Sequence, residues 1–317
     1  MKRPLPAAFS ILCSLAGFLI CTGLALNLRA QQSQSKSKQS GVIRVQTNLV
    51  SILASVIDAH GQPIPDLPQE MFELSEEGVP QKIERFEAQT NRPLDLALMI
   101  DSSMSTFKDL KFEAEAAAHF IKQVVRPTDT LSVFEFSDSV IQLSEFLDDV
   151  PRLQAAAERI TPGAGTAMYD AVVLGSNALR KLPQERRRVI VLVTDAGETT
   201  SVSKFDDARR AAIRSGTLLY SIIIRPVKNE NGRNTAGEHA LITITDSTGG
   251  AFFILDELQQ LDAMFDRINR ELRTQYLLGY YPNPPPKPGS TRHVELTVKS
   301  GDLVRYRKEY FTSAMPR

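Results

Sequence analysis

The run Val189-Ile190-Val191-Leu192-Val193 constrains the fold more than any other part of the chain. A strand with no polar residue on either side must be covered on both faces. That is the situation of a parallel sheet between two layers of helices. Leu94 to Ile100 and Leu218 to Ile224 are similar apolar runs, and Thr130 to Phe136 and Ala251 to Ile254 read as further strands. Helical spacing fills the intervals: Phe107 to Val125 (stopped by Pro127), Val150 to Ile160, Ala167 to Leu182, Asp206 to Arg214, a short helix around Glu238 to Asp246, and Leu258 to Arg273. Val140 to Phe146 reads as the hairpin partner of Thr130 to Phe136. Strands that alternate with helices predict an α/β fold with a doubly wound, mostly parallel sheet.

Both flanks are β in character. Val42 to Val45, Val50 to Ile57, Phe72 to Glu76 and Lys82 to Phe86 precede the α/β region, the last two joined at Glu77-Gly78; Gln275 to Tyr281, His293 to Lys299 and Val304 to Phe311 follow it. The expected organisation is a β module whose halves are residues 41–90 and 274–317, flanking an α/β domain over 91–273. Ahead of these, Lys2 and Arg3 precede an almost wholly apolar stretch from Ala7 to Leu28, and a Gln/Ser/Lys-rich linker occupies residues 31–40. Residues 1–30 therefore read as a secretory signal with cleavage after Ala30; an uncleaved anchor is the alternative, and export follows from either. Both cysteines, Cys13 and Cys21, lie inside that stretch, so the exported body contains no thiol.

The chemistry-bearing feature is Asp101-Ser102-Ser103-Met104-Ser105, directly after the strand Leu94 to Ile100. In extended backbone alternate side chains point the same way, so residues 101, 103 and 105 converge. A carboxylate and two hydroxyls are hard oxygen donors that suit Mg²⁺, Mn²⁺ or Ca²⁺ rather than zinc or copper. In a doubly wound sheet ligands bind beyond the carboxyl ends of the strands. Thr166, in a glycine-bearing loop that leads into a helix, and Asp195, directly after the strand Val189 to Val193, fit the same edge. Taken singly, each of these residues can be read as a helix cap or a solvated loop residue.

In order and rough spacing, Asp101-x-Ser103-x-Ser105, Thr166 and Asp195 resemble the metal-ion-dependent adhesion site of the von Willebrand factor A domain family, over roughly Leu94 to Arg273. The resemblance implies one divalent ion, Mg²⁺ or otherwise Mn²⁺ or Ca²⁺. Ser103, Ser105 and Thr166 would be its hydroxyl ligands, and Asp101 and Asp195 would act directly or through water. It implies a non-enzymatic adhesion or assembly module whose partner is a protein with an exposed Asp or Glu. Two positions depart from the family pattern: Met104 and Ala196 stand where glycine is usual. The segments Phe72 to Phe86 and Gln275 to Pro282 resemble exported "VWFA-related" proteins of acidobacteria and similar soil bacteria.

Other chemistries lack their residues. The 37 Lys and Arg balance the 37 Asp and Glu, which leaves no basic surface for nucleic acid. There is no Gly-x-Ser-x-Gly elbow and no phosphate-binding glycine loop. His60, His119, His239 and His293 show no ligand spacing. A metal-assisted hydrolase would have Glu198 as its nearest general base; a binding protein with a vestigial metal site is the other alternative. Arg186-Arg187-Arg188 reads as a solvated edge, with an anion site as the alternative, and Tyr276, Tyr280 and Tyr281 as an aromatic strip at a core and interface.

Overall fold

The computed structural model describes residues 49–103, 110–225 and 234–312. The signal or anchor, the linker, the strand expected at Val42 to Val45, Met104 and Ser105 lie outside the described residues.

The central sheet has six strands: β5 (Leu94–Asp101), β6 (Thr130–Phe136), β7 (Val140–Gln142), β8 (Arg187–Thr194), β9 (Thr217–Ile224) and β10 (Ala251–Leu255). Their order is β10-β9-β8-β5-β6-β7, and every pairing is parallel except the β6–β7 hairpin. Residues alternate between two cores. Leu94, Leu96, Leu98 and Ile100 pack toward α1 (Leu110–Val124), α2 (Val150–Ala157) and α6 (Leu261–Arg273). Ala97 and Met99 face α3 (Met168–Arg180), α4 (Phe205–Ser215) and α5 (Thr235–Thr248). This two-sided cover is why β5, β8 and β9 are buried along their whole length. On the first face Phe120 stacks on Phe265 with ring centroids 4.5 Å apart.

The flanking segments interleave in two further sheets. One sheet runs β13-β1-β11-β4, with β1 (Val50–Ile57), β4 (Arg85–Glu87), β11 (Tyr276–Tyr280) and β13 (Leu303–Tyr306). The other runs β14-β12-β2-β3, with β2 (Phe72–Glu76), β3 (Val79–Pro80), β12 (Thr291–Val298) and β14 (Glu309–Phe311). Ile52, Phe72, Tyr276, Leu278, Tyr280 and Leu296 share the core between them. Tyr276 belongs wholly to this core; its hydroxyl donates to Ile64 O (2.7 Å) and accepts from Leu67 N–H (2.9 Å).

Several expectations are corrected. β2 turns at Glu77-Gly78 into β3 rather than into a Lys82 to Phe86 strand; φ is 50° and 77° there, as a two-residue hairpin turn requires. β4 joins the other sheet. The expected strand Val304 to Phe311 is two strands, because the chain crosses between sheets at Arg307-Lys308. Tyr281 is exposed, since it follows Tyr280 and points to the opposite face. Arg186 to Arg188 is no solvated edge. Arg187 and Arg188 are buried, while Arg186 Nε donates to Asp95 Oδ1 (2.7 Å). Among the described residues no helix is long and apolar enough to cross a membrane.

Candidate functional site

The strand order reverses between β5 and β8: β6 lies on one side of β5 and β9 on the far side of β8. A doubly wound sheet opens a crevice at that point. Ile100 pairs with Val193 there, so Asp101 and Thr194 leave the sheet side by side. The Thr194 hydroxyl donates to Asp101 Oδ2 (2.5 Å), and Ser103 N–H donates to Asp101 Oδ1 (2.9 Å). Asp101, Ser103 and Thr166 are buried. Burial pushes the Asp101 carboxyl up to about 6, and the charge of Asp195 adds to this against the pull of the Thr194 and Ser103 hydrogen bonds.

Asp195 and Thr166 meet across Gly197. A Cβ at position 197 would lie 3.0 Å from Asp195 Oδ1 and 3.2 Å from Thr166 Oγ1. Both oxygens therefore flank the same small space, and glycine keeps it open. Asp195 Oδ1 also accepts from Gly197 N–H (2.8 Å), which curls the loop back on itself. Thr166 is tied to the following loop: its N–H donates to Thr199 Oγ1 (2.9 Å), and its carbonyl accepts from Thr199 N–H (2.9 Å) and Thr200 N–H (3.2 Å). The loop before it is anchored to the first, because Ser103 forms a parallel bridge with Gly163, whose N–H donates to Ser102 O (2.8 Å). Four of the five sequence-selected residues thus sit on three loops at one sheet edge; Ser105 lies outside the described residues.

Some bland readings lose their basis. Thr166 is not the cap of α3. That end is served by Glu198, whose Oε2 accepts from Tyr169 N–H (3.0 Å), and by Ser201, whose Oγ accepts from Tyr169 N–H (3.1 Å) and Asp170 N–H (3.2 Å). Glu198 also accepts from Ser201 N–H and O–H. A carboxylate so engaged in capping and loop closure is a poor general base, which weakens the hydrolase alternative.

Sequence reading missed Thr194, Asp138 and Asp170. Thr194 directly precedes Asp195 and carried a signal in that adjacency. Asp138 lies in the Ser137-Asp138-Ser139 loop that follows β6 at the same edge, and its Oδ2 accepts from Ala164 N–H (2.9 Å). Its signal was an Asp/Ser loop after a strand, the pattern seen at Asp101. Asp170 accepts from Val202 N–H and Ser203 N–H (both 2.9 Å), which fixes the loop beside Thr166.

Ala196, the departure from glycine, adopts the left-handed conformation at φ 61°. It is fully buried, and its carbonyl is so close to α5 that a Cβ on Gly237 would approach it to 2.0 Å. The left-handed conformation costs alanine about 1 kcal/mol, and losing its buried methyl would cost about 0.8 kcal/mol. These offset, so Ala196→Gly is expected to change stability by less than about 1 kcal/mol in urea unfolding. Ala196→Val adds a β-branched side chain at positive φ in a packed core and is expected to cost more than about 3 kcal/mol.

The family profile described as von Willebrand factor type A domain matches residues 96–198. The match covers about a third of the chain. The matched segment runs from β5 through Glu198 and so includes every described residue of the crevice. Among solved structures, the chain is similar to a von Willebrand factor type A protein from Catenulispora acidiphila (12% identity, 84% of this chain and 74% of that one, TM-score 0.49). It is also similar to the conserved hypothetical protein BatB from Bacteroides thetaiotaomicron (17% identity, 56% and 98%, TM-score 0.45). A third is the pilus adhesin SpaC from Lactobacillus rhamnosus GG (11% identity, 79% and 48%, TM-score 0.49). None of the curated proteins matches the sequence.

Proposed function

We propose that this is an exported, non-enzymatic binding protein whose A domain captures an acidic side chain of a protein partner through a divalent ion. Asp101, Ser103, Ser105, Thr166 and Asp195 hold the ion, Ser105 entering on the sequence pattern alone. The observation that carries the reading is the arrangement at the switch point: Asp101 buried beside Thr194, and Thr166 Oγ1 and Asp195 Oδ1 flanking the space that Gly197 leaves open.

The donor set fits such an ion. All the donors are hard oxygens, with two carboxylates and otherwise neutral hydroxyls, which suits Mg²⁺, Mn²⁺ or Ca²⁺. Among the described residues no three His, Cys, Asp or Glu side chains gather as a metal cluster, so a softer transition-metal centre finds no ligands there. Two carboxylates only balance a divalent charge, and the bound ion would remain an electrophile for a partner's carboxylate. The protein's own residues orient the ligands: Thr194 and Ser103 N–H hold the two Asp101 oxygens, and Gly197 N–H holds Asp195.

The test is capture from a native extract on immobilised mature protein. Partner retention in Mg²⁺, lost in chelator and absent from Asp101→Ala, is the expected result. Equal retention in all three conditions contradicts a metal-mediated contact and favours a binding protein with a vestigial metal site.

A further inference from the structure

At the opposite end of the sheet from the crevice, a cavity of about 190 Å³ lies where four segments meet: the loop before β5, the loop from α1 to β6, the first residue of β8 and the last of α6. Arg126, Arg187 and Arg273 line it, and Asp129 is the only carboxylate among its lining residues. Asn91, Arg126 and Thr128 on its wall are exposed, whereas Asp129 and Arg187 are buried, so the cavity runs from solvent to the base of the sheet.

Asp129 is fully committed. Its Oδ1 accepts from Leu94 N–H (2.8 Å), and its Oδ2 accepts from Arg273 Nη2 (2.8 Å) and Arg126 N–H (3.3 Å). Its ion pair is with Arg273. Arg187 turns to neutral groups instead: Nε donates to Arg92 O (2.9 Å), and Nη1 donates to Leu272 O (2.5 Å) and Gln275 Oε1 (3.2 Å). Its Nη2 makes no hydrogen bond among the described residues, and the buried Arg273 Nε has no hydrogen-bond partner there either. The Arg126 guanidinium forms no ion pair among the described residues.

Burial pulls Arg187 down to about 10, with the charges of Arg273 and Arg126 adding to it against Asp129. Burial also lowers Arg273, and Arg126 adds to that shift against Asp129. The three guanidiniums therefore share one field with one carboxylate, which leaves two positive charges in excess. Leu272 O and Val124 O, at the carboxyl ends of α6 and α1, offer partial negative charge only. The cavity has the room of about six waters, enough for one tetrahedral oxyanion and too little for a nucleotide. Guanidinium forks match the oxygens of such an ion.

We propose that this cavity binds one free tetrahedral oxyanion of the phosphate or sulfate type, held by Arg126, Arg187 and Arg273. A doubly charged ion balances the excess. It also ties the loop before β5 to the end of α6, the two places where the chain passes between the six-stranded sheet and the flanking sheets. The site is independent of the crevice and of any ion bound there.

Calorimetric titration of the full mature chain with inorganic phosphate, in chelator and at low ionic strength, tests it. Saturable binding of one phosphate per chain is expected, weakened about tenfold or more in Arg126→Ala. Asn91→Asp brings a carboxylate to the cavity wall and is expected to abolish binding. Both positions are exposed, so neither variant disturbs the core. Absence of saturable binding by the wild type would overturn the proposal. Unchanged affinity in Arg126→Ala or Asn91→Asp would also overturn it, because the ion would then sit elsewhere.

Discussion

Glu271→Ala is expected to lower the unfolding free energy by about 3–5 kcal/mol. Glu271 lies on α6 and is only 1% exposed. Its carboxylate accepts from the Tyr220 hydroxyl of β9 (2.9 Å) and pairs with Arg305 of β13. It therefore joins the six-stranded sheet, the helix behind it and the sheet that contains β13. Burial holds the Tyr220 phenol well above its ordinary range, so it remains a neutral donor. Removing the carboxylate leaves a guanidinium that is only 18% exposed, and a buried phenol, without their acceptor. The desolvation of both groups then goes uncompensated. Glu271→Gln keeps an acceptor for Tyr220 but removes the charge facing Arg305, and it is expected to cost less than the alanine change. Urea unfolding of both variants reads the difference; a loss under about 1 kcal/mol for Glu271→Ala contradicts this role for the pair.

Asp101→Asn is expected to weaken divalent-ion affinity by about a hundredfold or more while the metal-free protein keeps its stability within about 1 kcal/mol. The two halves of this expectation have different causes. Asn keeps a carbonyl oxygen for Ser103 N–H and is nearly isosteric, so the hydrogen bonding beside Thr194 can be re-formed. What it loses is the full charge in a buried position, where few other ligands can replace it. The asparagine also relieves the burial that pushes the carboxyl up, which opposes any loss of stability. A parallel fall in affinity and stability would instead mark Asp101 as a structural residue of the β5–β8 edge. Calorimetric Mg²⁺ titration beside thermal melting separates the two outcomes.

The central fold was readable because burial on both faces leaves a plain signature in sequence. The apolar runs of β5, β8 and β9 have no solvent-facing side, and helices between them leave a parallel sheet as the arrangement that covers them. The placement of candidate residues at one sheet edge was readable where they stand at strand ends, as Asp101 and Asp195 do. Features set by distant partners were not readable. Arg186 to Arg188 looks solvated in sequence, because carbonyls at Ser215, Leu182 and Leu272 satisfy it only after folding. The break at Arg307-Lys308 leaves no mark in an alternating pattern, since both halves alternate alike in their separate sheets. α5 extends beyond its expected ends because Thr243 and Thr248 turn their hydroxyls back onto the carbonyls of His239 and Thr245, so threonines that suggest a strand are accommodated in a helix. The role of Glu198 was hidden because it caps a helix 29 residues away in sequence.

Calorimetric titration of the mature wild-type protein with Mg²⁺ and Mn²⁺ bears most directly on the crevice between β5 and β8. Saturable binding of one ion per chain is the expected result, abolished in Asp101→Ala and strongly weakened in Thr166→Ala and Asp195→Ala. Absence of binding to the wild type, or binding that survives unchanged in Asp101→Ala, would contradict it.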